Sequence, residues 1–334
     1  MKRGRVASAA LAFLLLALLA LPLGALNLAC TPRATASGHG SPPGRDRSPR
    51  LEDAFDGEPA LLVVIRPAKL IRDPLYGPLI RRVSELASTR VAVAEAVGRT
   101  ALAAIERTEE VTVGAYDADA RDAVIALRGV PADIEASRVF DPTGKPLWTH
   151  RSDLPGGVEE LAPAEATANA ALFVLPRRAW VIAVGGAVAR ARATYEAEVH
   201  RVGAPFGAVA DAPLVVARLR GAALRRARPT LADGSLAPLV RDLEWVSVDL
   251  EPGPEGEVGE VALRLEYGEL AFAQRAEICV TDVLAALTRK YETEAPWLHA
   301  VKVSRAERAI AVRGRIPRAW TDGLLHVDVD DFGK

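Results

Sequence analysis

Cysteine is nearly absent: the chain of 334 residues has Cys30 and Cys279 and no other. That excludes a disulfide framework, which needs several spaced pairs. Histidine is scarce and scattered, at 39, 150, 200, 299 and 326, with no His-x-x-x-His pair. Gly-x-Ser-x-Gly, Ser-x-x-Lys and His-Glu-x-x-His are all missing, which removes the common hydrolase and zinc signatures. Triads assemble in space, so these absences do not exclude catalysis itself. There is no Gly-x-Gly-x-x-Gly and no Walker-type lysine after a glycine-rich turn, so no nucleotide or other cofactor is expected. Lysine is rare too. Six lysines among 42 basic residues leave 36 arginines, and with abundant alanine and one methionine this is the composition of a GC-rich bacterial genome.

One long apolar run is present, and it stands at the start. Lys2, Arg3 and Arg5 precede residues 6–29, which are almost unbroken alanine and leucine. A positive start followed by such a run is an export signal and not part of a fold. The run also meets the length of about 20 residues that a membrane-spanning helix needs. Pro22 and the small residues after it favour cleavage over a retained anchor.

Cys30 follows Asn27-Leu28-Ala29. This arrangement resembles the export signals of bacterial lipoproteins, in which the chain is cleaved before a cysteine that is then acylated. Ala29 matches the small residue usual there, while Asn27 and Leu28 depart from the usual pattern. The resemblance implies lipidation of Cys30 and a membrane anchor. Thr31, being other than Asp, further implies sorting to the outer membrane. Ala34-Thr35-Ala36 offers an ordinary small-x-small cleavage site as the alternative, with a mature end at Ser37.

Charge divides the chain. Of the overall −1, the first 30 residues hold +3 and residues 31–50 another +3, leaving −7 for residues 51–334. A basic tether beside a lipid anchor is drawn to anionic headgroups. The acidic body argues against nucleic acid as a partner, which leaves the membrane, through the anchor, and an envelope protein.

Residues 31–50 are rich in Gly, Ser and Pro and lack apolar periodicity, so they read as a flexible stalk. Leu61-Leu62-Val63-Val64-Ile65 reads as a buried strand, and residues 75–107 as a helical region begun by Asp73-Pro74. Hairpins are predicted over 111–127 and 171–184, with short strands near 147–150 and 158–161. A short helix is expected after Pro131, and another opened by Gly185-Gly186. The second half repeats the order: a strand at 214–217, helical pieces over 218–240, a hairpin over 245–267, a helix over 269–291, a hairpin over 301–312 and a closing helix over 317–325. The expected fold is therefore α+β, in two similar units, each a mainly antiparallel sheet with helices on one face. The expected bounds are a signal at 1–29, a lipid-anchored linker at 30–54, and units at 55–204 and 205–334.

Candidate site residues are few. Asp117, Asp119 and Asp122 lack the Gly and Glu that a calcium loop needs at its sixth and twelfth places, so a solvated turn is expected and no metal is assigned. Asp328, Asp330 and Asp331 read as an acidic tail. Arg218, Arg220, Arg225, Arg226 and Arg228 are the densest basic run of the body, either a solvated face or a contact surface for anionic lipid or an acidic partner. If this run is helical, Arg218, Arg225 and Arg228 share a side. Cys279, in an apolar helical pattern, reads as a packed small hydrophobe. The functional expectation is a lipid-anchored binding or assembly module without catalytic residues. The alternatives are an envelope hydrolase with a site between the halves, or a carrier of an apolar ligand.

Overall fold

Apolar runs bounded by turn residues become strands along the whole body, and twelve are described. The structure is a computed structural model that describes residues 49–55, 59–78, 107–117, 122–140, 144–164, 169–197, 213–252, 258–293 and 295–319. The expected export segment, Cys30, Asp119, Asp328, Asp330, Asp331, most of the expected helical region 75–107 and most of the expected closing helix lie outside these residues. The described residues form two compact units, one of residues 49–68 and 107–197, the other of residues 69–78 and 213–319.

In the first unit, β1 (Leu61–Ile65), β2 (Glu110–Ala115), β3 (Ala123–Arg128), β4 (Trp148–Leu154), β5 (Val158–Pro163), β6 (Ala170–Leu175) and β7 (Ala179–Val184) lie in the order β1-β2-β3-β7-β6-β5-β4. Each neighbouring pair in that order is antiparallel. Helix α1 (Pro67–Arg72) follows β1 and carries the chain into the second unit; helix α2 (Gly186–Glu196) follows β7.

The sheet of the first unit is covered on both faces, which explains why β7, and β3 up to its exposed end at Arg128, are apolar and do not alternate. On one face Val124, Phe173 and Val181 pack against Ala187, Val188, Ala191 and Tyr195 of α2. On the other, Leu127, Leu172 and Ile182 pack under Val130, Ala136, Val139 and Leu147, which come from an irregular segment. The helix expected after Pro131 is a single 3-10 turn at Ala136–Arg138. Pro142, Pro146 and Gly144 nearby leave no room for a longer one.

Residues at the end of the expected linker are packed into this unit. Leu51–Ala54 form a 3-10 turn closed by a hydrogen bond from the Arg50 N–H to the Asp53 carboxylate at 2.8 Å. Leu51, Ala54 and Phe55 join the core beneath α2. The Tyr195 hydroxyl donates to the Arg50 carbonyl at 3.2 Å, and its ring meets Phe173 at 5.3 Å. Deleting residues 31–48 is therefore expected to leave the melting temperature unchanged, because their composition has nothing to add to a core. Tyr195→Phe, which leaves the Arg50 carbonyl with only the Asp53 N–H at 3.3 Å as donor among the described residues, is expected to cost about 1 kcal/mol in chemical unfolding.

In the second unit, β8 (Val215–Arg220), β9 (Leu243–Pro252), β10 (Val258–Tyr267), β11 (Lys302–Ala306) and β12 (Ala309–Pro317) lie in the order β8-β9-β10-β12-β11, again antiparallel. Helices α3 (Gly221–Ala227) and α4 (Ala237–Val240) are short, and α5 (Leu270–Lys290) is 21 residues long. Ala273, Ala276 and Val280 of α5 are buried, and Glu277 pairs with Arg305 of β11 at 2.7 Å.

The expectation of two similar α+β units is overturned. Seven antiparallel strands stand in one unit and five in the other, and of the five α-helices described just α2 and α5 exceed seven residues. Between β3 and β6 the chain makes the hairpin β4/β5, whereas between β10 and β11 it makes α5. The reason is local. Proline and glycine punctuate residues 131–163, while residues 270–290 have neither and are rich in strong helix formers. The seam between equal units, where a hydrolase site was expected, depended on that equivalence and falls with it.

Candidate interaction surface

Strands β8 to β12 alternate, and the alternation sorts their side chains onto two faces. Val246, Val248 and Leu250 of β9, Leu265 of β10 and Ile310 of β12 are buried on one face. The helix α5 packs on the strands of this face.

The second face is polar, and strand register sets it out in rows, since residues paired across strands project to the same side. Arg218 of β8 stands opposite Ser247, which stands opposite Arg264. The adjacent row runs through Asp249 and Ala262 to Arg313 and then Lys302. On the other flank Arg220 faces Trp245, and Trp245 faces Glu266. The two central rows thus hold four cations and one carboxylate, within a body whose net charge is −7.

Trp245 is half-buried between two cations, the guanidinium carbons of Arg218 and Arg220 lying 5.3 and 5.2 Å from its ring. Each is within cation–π reach, so the indole holds both guanidiniums in place. Arg264 pairs with Glu266 at 2.8 Å and Arg315 with Glu260 at 3.0 Å. Burial pushes the Asp249 carboxyl above the ordinary carboxylate range, and the nearby Glu251 adds to the rise. Arg218 and Arg264 pull it back without cancelling the shift.

The basic run is therefore divided differently from the helical expectation. Arg218 and Arg220 are in a strand and share a face because they are two residues apart. Arg225, in α3, donates to the Val240 and Leu243 carbonyls at 2.8 and 3.0 Å and serves the fold. Arg226 and Arg228 are exposed. Trp245, 25 residues from Arg220, had no sequence signal tying it to the arginines.

Asp122 is bound by Arg190 through two hydrogen bonds of 3.0 and 2.6 Å, and that guanidinium lies 4.7 Å over the Tyr116 ring. This ties the β2/β3 turn to α2, with Gly185 at φ +67° making the tight entry to the helix. Among the described residues no group of three or more His, Cys, Asp or Glu could hold a metal ion. Cys279 is partly exposed; its thiol, 3.6 Å from the Ser235 carbonyl, is pushed up by burial and so is less available as thiolate.

A buried carboxylate escaped the sequence reading. Glu160 of β5 is 1% exposed and takes hydrogen bonds from Arg192 of α2 at 2.6 Å and from the Ser152 hydroxyl at 3.0 Å, with Arg151 at 3.7 Å. Its signal was its phase: two residues after buried Val158, it occupies an inward position of the strand. Burial works against its charged form, but the Arg192 and Ser152 hydrogen bonds and the two guanidiniums outweigh it and hold the carboxyl below its ordinary range. The buried carboxylate is thus fully partnered, which makes the cluster a clamp between sheet and helix.

No family model matches the chain, and no curated protein matches it. A solved structure described as crystal form I of TP0453 resembles it at a TM-score of 0.45 and 9% identity, over 83% of this chain and 98% of that one. Among the described residues no helix is long and apolar enough to cross a membrane.

Proposed function

We propose that this chain is a lipid-anchored protein of the bacterial cell envelope that acts by binding, with the polar face of the five-stranded sheet as its contact surface. The observation that carries the binding role is the Arg218–Trp245–Arg220 stack. Ordered on that indole, the Arg218 guanidinium presents its donors at little further entropic cost, which favours recognition of an anionic partner. The address rests on Lys2, Arg3 and Arg5, the apolar run and Cys30 after Ala29. With Thr31 following the cysteine, the outer membrane is the proposed destination.

Cys30→Ala is expected to move the protein from the membrane pellet to the soluble fraction when cells are fractionated after signal removal. Intact-mass analysis of the wild-type protein should show an acylated mature end at Cys30. A mature end at Ser37 would refute the lipid anchor.

A further inference from the structure

We infer that the polar face of the second unit's sheet rests on an anionic phospholipid surface, an inference that builds on the proposed lipid anchor. The face is an extended sheet surface, half-buried at Arg218, Ser247 and Asp249 and exposed at Arg313 and Lys302. Its five strands, spaced about 4.8 Å apart, span roughly 20 Å, a shape suited to a plane of headgroups more than to one small ligand. Arg313 and Lys302 are exposed and paired across β12 and β11. Among the described residues, Arg218, Arg313 and Lys302 form no ion pair, whereas Arg264 and Arg315 each hold a carboxylate of the same face. The positive charge left for a partner is thus concentrated on Arg218, Arg313 and Lys302, beside the Arg220–Trp245 stack. Tryptophan beside cations suits the boundary layer of a bilayer, where its ring is apolar and its N–H reaches water. The acidic remainder of the body repels the same surface, so charge selects this face for contact. Between Cys30 and Pro49 the chain advances 19 residues, which fully extended would reach up to about 65 Å at roughly 3.4 Å per residue, so the anchor does not by itself fix which face of the body meets the membrane.

The chain beyond the export segment has five lysines, Lys69, Lys145, Lys290, Lys302 and Lys334, which makes amine acetylation a sparse footprint. The acylated full-length product is placed in vesicles of phosphatidylcholine alone or with about 30% phosphatidylglycerol, and acetylation is read by mass spectrometry. Lys302 is expected to be labelled at least fivefold more slowly on the anionic vesicles, with Lys290 unchanged and the protection lost in 0.5 M salt, since attraction between the cations and the headgroups is screened there. The double variant Arg218→Gln/Arg313→Gln should lose the protection while keeping its circular dichroism and its acyl group. Equal labelling of Lys302 on both vesicles, or protection indifferent to salt, overturns the inference. Protection that appears on neutral vesicles after addition of envelope protein also overturns it, in favour of a protein partner. If intact mass shows no acyl group, the anchor fails separately. The face is then tested by flotation of the unacylated mature chain with anionic vesicles, where salt-sensitive flotation supports it and absence of flotation refutes it.

Discussion

Replacing Arg192 with methionine is expected to cost about 3 kcal/mol of stability, because it leaves the buried Glu160 carboxylate without its main partner. Glu160 is 1% exposed and Arg192 supplies the shortest of its hydrogen bonds, at 2.6 Å. Ser152 and Arg151 remain, but one hydroxyl and a guanidinium at 3.7 Å cannot replace a forked pair. The pH dependence checks the cause. In the wild-type protein the Glu160 carboxyl is held below its ordinary value, so its contribution is present above the unfolded value of about 4.3 and fades as pH falls through the lower folded value. In Arg192→Met burial prevails and the carboxyl rises, so the variant's loss is greatest at neutral pH and shrinks toward pH 4. Urea unfolding at pH 7 and at pH 4 reads both effects. A gap between variant and wild type that is the same at the two pH values would show that lost packing, not the stranded charge, is the cause.

Gly221→Ala is expected to destabilise the second unit by about 3 kcal/mol, the scale of a backbone clash that side-chain movement cannot relieve. Strand β8 passes into α3 without a loop, Arg220 being extended at φ −66° and ψ 135° and Gly221 the first helical residue. A Cβ at Gly221 would overlap the Leu243 carbonyl. That carbonyl cannot retreat, because Arg225 holds it at 3.0 Å and holds the Val240 carbonyl at 2.8 Å. Gly234→Ala is the control: its nearest neighbour is the Thr230 carbonyl at 3.5 Å, an ordinary contact, so it should be neutral or slightly stabilising through the unfolded chain. Thermal unfolding that puts Gly221→Ala level with Gly234→Ala would remove the clash from this account.

What the sequence by itself determined is local. The run of alanine and leucine ahead of Cys30 reads as an export signal from its composition alone. Strands at Leu61–Ile65 and Ala179–Val184, and the helix at Leu270–Lys290, were legible because apolar spacing and turn residues act within a few positions of the backbone they shape. Layering was not legible. The same hairpin signals suit two equal units or two unequal ones, and only long-range pairing set the orders β1-β2-β3-β7-β6-β5-β4 and β8-β9-β10-β12-β11. The basic run shows the limit most clearly. Read as a helix it puts Arg218 with Arg225, but β9 supplies a neighbouring strand, so Arg218 and Arg220 become ladder residues and meet Trp245. Glu160 and Arg192, 32 residues apart, likewise became partners only when α2 closed over the sheet. Register between distant segments is decided by the burial they achieve together, and that quantity has no value until the tertiary structure exists.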